Sequence, residues 1–276
     1  MPETNNECVG GSAWGRRSLV VVTGASRGIG RAVALEAGRR VGQGSLMVLV
    51  ARNADGLGAT AEAVRRANAA VSVVCKQADL ERDVAPDLLS DAVSQAECGD
   101  TADYKVAMIV HGAGSVGDLS EGTAQLADSA KWTSYLALNV SSAAVLTAQF
   151  LALLPQGDNG PRRYIVNITS LAAVEPFPSL GYYCVGRAAR QMYFSVLAAE
   201  NASLAVLNYS PGVVDTDMVA SIENGASDPA IRNSFSDMRK RGDIVSPEKT
   251  AARLAAVLET GAFQSGKRID YYDLKD

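Results

Sequence analysis

Three side chains in the second half of the sequence have the types and the spacing of a carbonyl-reducing site. Ser170 follows an apolar run, Tyr183 comes thirteen residues later, and Arg187 lies at i+4 from the tyrosine. Positions i and i+4 are neighbours on one face of a helix, so a phenol and a cation are expected side by side. A ketone that accepts a hydride needs an acid for its oxygen and a donor that polarises it, and Tyr183 and Ser170 suit these roles. Taken alone, the pattern is weak, and structural packing explains it better than catalysis does.

A glycine-rich turn near the amino end predicts a phosphate-binding site. The β-branched run 20–22 stops at this turn, and residues 29–41 carry their apolar side chains at helical spacing. Glycines let the backbone approach a ligand closely, and the helix amino end offers free N–H donors. The spacing differs from the usual G-x-G-x-x-G, so an ordinary tight turn is the alternative. The residues predicted to contact a cofactor here are Gly24, Ser26, Arg27, Gly28, Ile29 and Gly30.

Strand-like and helix-like segments alternate along the rest of the chain. Strands are predicted at 19–23, 46–51, 71–75, 106–110, 164–168, 205–208 and 268–271, and helices at 29–41, 54–69, 84–96, 135–154, 183–200 and 250–258. Apolar strands separated by helices imply a parallel sheet that is covered on both faces. We therefore predict an α/β fold, a single doubly wound Rossmann-type domain at 18–276 with a mostly parallel seven-stranded sheet, after a flexible tail at 1–17. Ligands bind such sheets at the carboxyl ends of the strands.

Composition narrows the classes of function. The 276 residues are 47% hydrophobic, which suits one α/β domain with a sizeable core. The net charge of -4 gives no attraction to nucleic acid or anionic lipid, and the densest basic pairs are Arg16-Arg17 and Arg162-Arg163. Four cysteines without a C-x-x-C pair and a single histidine predict no metal site and a reducing compartment, the cytoplasm. Residues 135–154 match a membrane span in length, but polar interruptions favour a buried helix.

The residues after the second and third strands favour NADP as cofactor. Arg52 and Asn53 stand where an NAD-binding protein usually places an acid for the ribose 2′-hydroxyl. An arginine suits a 2′-phosphate instead, and Arg27 can add a second guanidinium. Two solvated surface arginines are the alternative. Asp79, followed by Leu80, can hold the adenine amino group or simply cap the following helix.

Together these motifs resemble the short-chain dehydrogenase/reductase family over roughly residues 18–272. The resemblance rests on the glycine turn after Thr23 and on Asn139, Ser170, Tyr183 and Pro211-Gly212 followed by Thr216. Within the family, the segments at 51–53, 112–122, 182–192, 206–218 and 265–273 are similar to a branch that reduces side-chain ketones of pterins with NADPH.

The resemblance implies a role for each matching residue. Tyr183 would be the proton donor, Ser170 would orient the carbonyl, and Asn139 would support a water-linked proton path. Thr216 would hold the nicotinamide carboxamide. The other implied cofactor contacts are Gly112, Ala113, Gly114, Pro211 and Gly212.

The resemblance also implies a substrate contact and an assembly. Asp270 matches the carboxylate by which the pterin-reducing branch anchors its substrate, and two carboxylate oxygens suit the paired donors of a pterin edge. A surface acid near the chain end is the alternative. Long helices such as 135–154 often form interfaces in the family, which implies a homodimer or homotetramer.

Two departures from the family pattern bear on turnover. The family's active-site lysine is replaced by Arg187, which keeps the positive charge but cannot lose a proton in a relay. The usual Asn-Asn-Ala-Gly after the fourth strand begins with His111, which either donates to the backbone or cofactor or is merely packed. Three hypotheses follow: a pterin-ketone reductase, a broader carbonyl or diketone reductase, and a non-catalytic NADP-binding sensor.

Overall fold

A seven-stranded sheet forms the centre of the molecule. The computed structural model describes residues 8–82, 84–96, 100–155 and 160–274. The strands are β1 (Ser18–Thr23), β2 (Leu46–Ala51), β3 (Ser72–Gln77), β4 (Val106–His111), β5 (Arg162–Ile168), β6 (Leu204–Ser210) and β7 (Arg268–Asp270). Their order is β3-β2-β1-β4-β5-β6-β7, and every pairing between them is parallel. The prediction of a doubly wound α/β domain with seven strands is confirmed, and the strand order reverses between β1 and β4.

Helices connect the strands and cover both faces of the sheet. They are α1 (Gly28–Arg40), α2 (Ala54–Ala67), α3 (Leu88–Gln95), α4 (Ser129–Leu136), α5 (Ser142–Ala152), α6 (Gly181–Glu200), α7 (Asp217–Gly225), α8 (Pro229–Arg241) and α9 (Pro247–Thr260). The helix predicted at 84–96 begins later, at Leu88. Helices α7 and α8 were not predicted, although Ile231 and Phe235 of α8 lie at i and i+4 and pack, partly buried, against the cluster that contains Ile222 of α7.

Two apolar cores lie on opposite faces of the sheet. Side chains alternate between faces along a strand, so Val20 and Val22 pack with α1 and α9, while Leu19 and Val21 pack with α5 and α6. All four of these β1 side chains are completely buried. Burial on both faces explains why the strands read as continuous apolar runs.

The uncharged segment predicted as one long helix is interrupted by a wider turn. Helix α4 continues through a π-helical segment, Ala137–Ser141, into α5. Ser129–Ala152 is long and apolar enough for a membrane span by length and composition. Its side chains Leu138, Leu146 and Phe150 pack in the core against the sheet, which accounts for their apolar character within the domain.

The segment before β1 is packed against the domain, so the prediction of a flexible tail is wrong for residues 8–17. Val9 N donates to Phe263 O at 2.9 Å, and Trp14 Nε1 donates to Ala255 O at 2.9 Å. Trp14 is buried in the core shared with α1 and α9. Residues 1–7 of the predicted tail lie outside the described part of the chain.

Candidate active site

The parallel strands bring the predicted site residues to one edge of the sheet. Gly24 follows β1, Gly112 follows β4, Ser170 follows β5 and Pro211 follows β6. Strands β1, β4, β5 and β6 are consecutive neighbours in the sheet, so these four residues lie along its carboxyl edge. This edge includes the place between β1 and β4 where the strand order reverses, which is the usual ligand position in such sheets.

The glycine turn leaves the amino end of α1 open to an anion. Gly24 and Gly28 have φ values of +69° and +55°, a backbone region that strongly favours glycine. A Cβ on Gly30 would lie 2.3 Å from Gly24 O, so the chain can close this tightly only with glycine there. Arg27 precedes α1 without capping it through its side chain, so backbone N–H groups of the first turn are free to bind phosphate.

Two further loops lie against this turn. Ala113 N donates to Thr23 Oγ1 at 3.2 Å, which places the 112–114 loop directly beside Gly24. A Cβ on Gly28 would lie 3.2 Å from Cγ2 of Thr216, so the loop after β6 touches the same turn. Thr250 Oγ1 holds that loop by donating to Pro211 O at 3.0 Å. The predicted cofactor residues of three loops are therefore brought together.

Asn139 fixes the loop after β4. It is buried in the π-helical segment, where its Oδ1 accepts from Ser115 N and its Nδ2 donates to Tyr135 O, both at 2.9 Å. A Cβ on Gly114 would lie 2.8 Å from Asn139 Oδ1, so glycine is needed for this close approach. The contacts show a loop-positioning role, and the water-linked role of Asn139 stays a prediction.

Arg187 contacts Tyr183 as the i+4 spacing predicts. The guanidinium carbon lies 4.9 Å from the centre of the phenol ring, and Nη1 donates to Ile168 O at 2.7 Å. Arg187 Nε is buried and makes no hydrogen bond within the described residues. Ser170 begins a short turn in which its Oγ accepts from Ala172 N at 3.2 Å. Since Ala172 and Tyr183 share one apolar cluster, α6 packs directly on this turn.

Arg190 is a site residue that the sequence analysis missed. Its side chain is only 2% exposed, and its guanidinium donates to Asn167 Oδ1 at 2.7 Å, to Ala113 O at 2.9 Å and to His111 O. Burial and the nearby Arg187 lower the pKa of Arg190 to about 9. Arg190 lies at i+3 from Arg187 on the buried face of α6. In the sequence, a second arginine three positions after Arg187, on the same helix face, was the signal that could have indicated this role.

The network continues from Arg190 across the sheet. Asn167 Nδ2 donates to Asn208 Oδ1 at 2.8 Å, and Asn208 Nδ2 donates to Gly266 O at 3.0 Å. The chain of hydrogen bonds therefore links the 112–114 loop after β4 to β5, β6 and the segment that leads into β7.

The ring of His111 is packed against α5 and α6. The ring is 1% exposed, Nε2 shares a hydrogen bond of 2.8 Å with Thr147 Oγ1 on α5, and the ring centre lies 5.2 Å from that of Phe194. Burial, followed by the charge of Arg190, holds the pKa of His111 well below its ordinary value. The packing interpretation therefore accounts for this histidine.

The two arginines predicted to bind a 2′-phosphate are exposed and paired with acids. Arg27 pairs with Asp217, and Arg52 Nη1 lies 3.5 Å from Glu81 and 3.9 Å from Asp79. Exposed ion pairs contribute little free energy, so a phosphate can compete for these guanidinium groups.

The neighbours of these arginines have local roles. Asn53 caps α2 by accepting from Gly56 N at 2.9 Å, and Leu80 is buried in the core. The helix-capping alternative for Asp79 is wrong, because its Oδ1 accepts from Glu81 N within a turn and α3 begins only after Asp87.

Asp270 ends β7 and is buried, so the alternative of a surface acid is wrong. Its Oδ2 accepts from Ser210 Oγ at 2.6 Å and from Arg268 Nη1 at 2.7 Å, and its Oδ1 accepts from Tyr272 N at 3.1 Å. The carboxylate stands at the same sheet edge as Ser170, but an arginine of this chain already engages it.

The fold and this edge define a Rossmann-type oxidoreductase. The sequence model of the short chain dehydrogenase family matches residues 18–227, and the chain belongs to this family. Sepiapterin reductase from Xenopus tropicalis is 37% identical over 255 residues, which cover 92% of this chain and 96% of that protein. Sepiapterin reductase from Bos taurus is 35% identical over 257 residues, which cover 93% and 95%.

A solved structure supports the fold. The angucycline C-6 ketoreductase LanV with bound NADP is similar with a TM-score of 0.74 at 21% identity, covering 94% of this chain and 95% of that chain.

Replacing Arg190 tests whether it positions the 112–114 loop. In Arg190→Met the carbonyls of His111 and Ala113 lose their donor, and each buried orphaned carbonyl costs about 1–3 kcal/mol. We expect a lower free energy of unfolding in urea and NADPH binding weakened by about tenfold or more in fluorescence titrations. Ser45→Ala, which removes a buried hydroxyl at the opposite sheet edge, should lose stability without weakening NADPH binding. Wild-type affinity in folded Arg190→Met would contradict the positioning role.

Proposed function

We propose that the protein is an NADPH-dependent reductase of a pterin side-chain ketone, acting like a sepiapterin reductase of the tetrahydrobiopterin pathway. One observation carries the proposal: a buried carboxylate, Asp270, stands at the edge that bears Tyr183, in a chain similar to sepiapterin reductases over 92% of its length. Tyr183, Ser170 and Arg187 would act on the reacting carbonyl, and Asp270 would hold the pterin.

The chemistry follows from the contacts of each side chain. NADPH, when bound, supplies a hydride to the carbonyl carbon. Tyr183 gives its proton to the carbonyl oxygen, and Arg187 against its ring favours the resulting phenolate. Ser170 already uses one lone pair to accept from Ala172 N, so its proton is free to point at the carbonyl oxygen. Because Arg187 keeps its proton, the phenolate is reprotonated by water.

The cofactor preference follows from the charges at the adenosine end. Arg52 and Arg27 place guanidinium groups beside the glycine turn and the end of β2. Guanidinium groups match phosphate oxygens by paired hydrogen bonds, which favours NADP over NAD.

Two other functions are each favoured by one observation. The ion pair of Asp270 with Arg268 favours a broad carbonyl or diketone reductase, because the carboxylate is occupied without any ligand. Arg187 in place of the family's lysine favours a non-catalytic NADP-binding sensor. The assays below separate these alternatives from the pterin reductase.

An apolar stripe on α6 supports a homodimer or homotetramer. Val185, Met192 and Val196 lie on one helix face and are 46%, 64% and 46% exposed. Ala188 and Ala189 extend this face, and Val145 of the neighbouring α5 is also exposed. Apolar side chains that line up on two adjacent helices suit burial against a second copy of the chain.

The reductase is tested with sepiapterin and NADPH. The wild type is expected to consume NADPH with sepiapterin, and Tyr183→Phe should lower kcat by about a hundredfold or more because the proton donor is lost. Asp270→Asn should raise KM for sepiapterin and leave KM for a small diketone unchanged. Equal effects on both substrates would identify the broad reductase, whereas tight NADPH binding without turnover, restored by Arg187→Lys, would identify the sensor.

The choice of cofactor is tested at Arg52. Arg52→Gln is expected to weaken NADPH binding about tenfold and to leave NADH binding unchanged, because only NADPH carries the 2′-phosphate. Arg82→Gln is the matched control, since Arg82 is also exposed and also pairs with Asp79, at 3.6 Å. Isothermal titration calorimetry measures the affinities of the wild type and of both variants for NADPH and for NADH. A parallel loss for both cofactors would show that Arg52 does not read the 2′-phosphate.

The interface is tested at the most exposed residue of the stripe. Met192→Glu places a charge at the centre of the α6 face, so the oligomer is expected to dissociate to monomers in light scattering coupled to size exclusion. Met238→Glu on α8 is the control for an added charge on another helix. A wild-type monomer, or an oligomer insensitive to Met192→Glu, would rule out this interface.

A further inference from the structure

Basic residues that are distant in the sequence meet at the amino edge of the sheet, opposite the active site. Arg16 and Arg17 precede β1, Lys105 precedes β4, and Arg162 begins β5. Lys105 N donates to Arg17 O at 2.9 Å, and Arg162 N donates to Lys105 O at 3.0 Å, so the backbone pairing fixes their register. Neighbouring strands are about 4.8 Å apart, which brings these residues together across three adjacent strands.

A cavity of about 240 Å³ opens between these cations. It is lined by Gly11, Ser12, Arg16, Lys105, Val106 and Arg162. Three of the lining residues are cations, and none of the described residues that line the cavity is acidic.

The three cations have no ionic partner in the described part of the chain. Of the basic residues at this edge, Arg17 alone pairs with an acid, Asp103, at 3.3 Å, and Arg16, Lys105 and Arg162 form no ion pair among the described residues. The chain as a whole carries a net charge of -4, so the positive charge at this edge is a local feature and not part of a general excess of basic residues. Like charges held side by side repel each other, and a bound anion would remove this repulsion.

Arg162 is already held in place for a ligand. Its Nη2 donates to Val9 O at 2.5 Å, and its guanidinium carbon lies 5.1 Å from the ring centre of Tyr164. Gly11 has a φ of +73°, and a Cβ there would lie 2.8 Å from Arg162 Nη1, so this glycine keeps the approach to the guanidinium open. A guanidinium has five N–H donors, which leaves several for an anion after the contact with Val9.

We propose that this cavity binds a small phosphate-type anion with more than one negative charge, of the inorganic pyrophosphate class. Two arginines offer paired donors that match phosphate oxygens, and the lysine adds a compact point charge. The site is independent of the proposed reductase function. Binding would join residues 11–16 to the starts of β4 and β5, and a ligand that binds only the folded chain also stabilises it.

Pyrophosphate is titrated calorimetrically into the full chain at constant ionic strength, with NADPH saturating so that the cofactor site is filled. We expect saturable binding and a rise in Tm. Arg162→Gln and Lys105→Gln should each weaken this binding about tenfold or more, because each removes a charge-assisted contact. Arg163→Gln is the matched control, since Arg163 is the adjacent arginine but donates to Ser203 Oγ at 3.0 Å and does not line the cavity.

The outcomes separate a site from general screening. ADP is titrated alongside pyrophosphate. Equal affinity would show that the site recognises the diphosphate group alone, whereas tighter binding of ADP would show that it recognises the diphosphate of a nucleotide. Either result supports the site. Circular dichroism confirms that the variants are folded. The proposal is overturned if pyrophosphate does not bind the NADPH-saturated protein, if Arg162→Gln and Lys105→Gln bind it like wild type, or if chloride at equal ionic strength gives the same rise in Tm.

Discussion

A buried cation holds the functional edge of this protein together. Arg190 on α6 donates to two carbonyls after β4 and to Asn167 on β5, so the helix that carries Tyr183 is tied to the loop beside the glycine turn. Among the described residues, no carboxylate pairs with Arg190, and backbone and amide oxygens alone stabilise its charge. A buried charge persists only when its donors are satisfied, so the network fixes the relative positions of β4, β5 and α6.

The same network places two positive charges, those of Arg187 and Arg190, close together beside Tyr183. Arg187 and Arg190 lie on one face of α6, and each contacts backbone carbonyls at the ends of central strands. In the proposed mechanism, the negative charge left on the phenol of Tyr183 would lie near the positive charges of Arg187 and Arg190 in a poorly solvated place, where electrostatic stabilisation is strong.

The fold and the residue types of the site were predictable from sequence, whereas the partners of several side chains were not. Strands that are buried on both faces read as apolar runs, and glycines and the Tyr183 spacing indicate the sheet edge. Helix α8 fully buries none of its residues, so the short apolar pattern of Ile231 and Phe235 is only a weak signal. Trp14 packs on α9, which lies far along the chain, so no local pattern could show that residues 8–17 are attached. The role of Arg190 depends on carbonyls, which carry no sequence signature.

The ion pair between Arg268 and Asp270 has a consequence for selectivity at the edge of β7. Both carboxylate oxygens are already engaged, one by Arg268 and Ser210 and the other by Tyr272 N. Oδ2 already accepts two hydrogen bonds, so a ligand whose paired donors engage both oxygens must displace Ser210 or Arg268 from Oδ2, and its gain at that oxygen is only the difference between two similar contacts. A cationic ligand that replaces Arg268 forms one ion pair and breaks another, so its charge brings no net gain. Which ligand binds then depends on the spacing and direction of its donors.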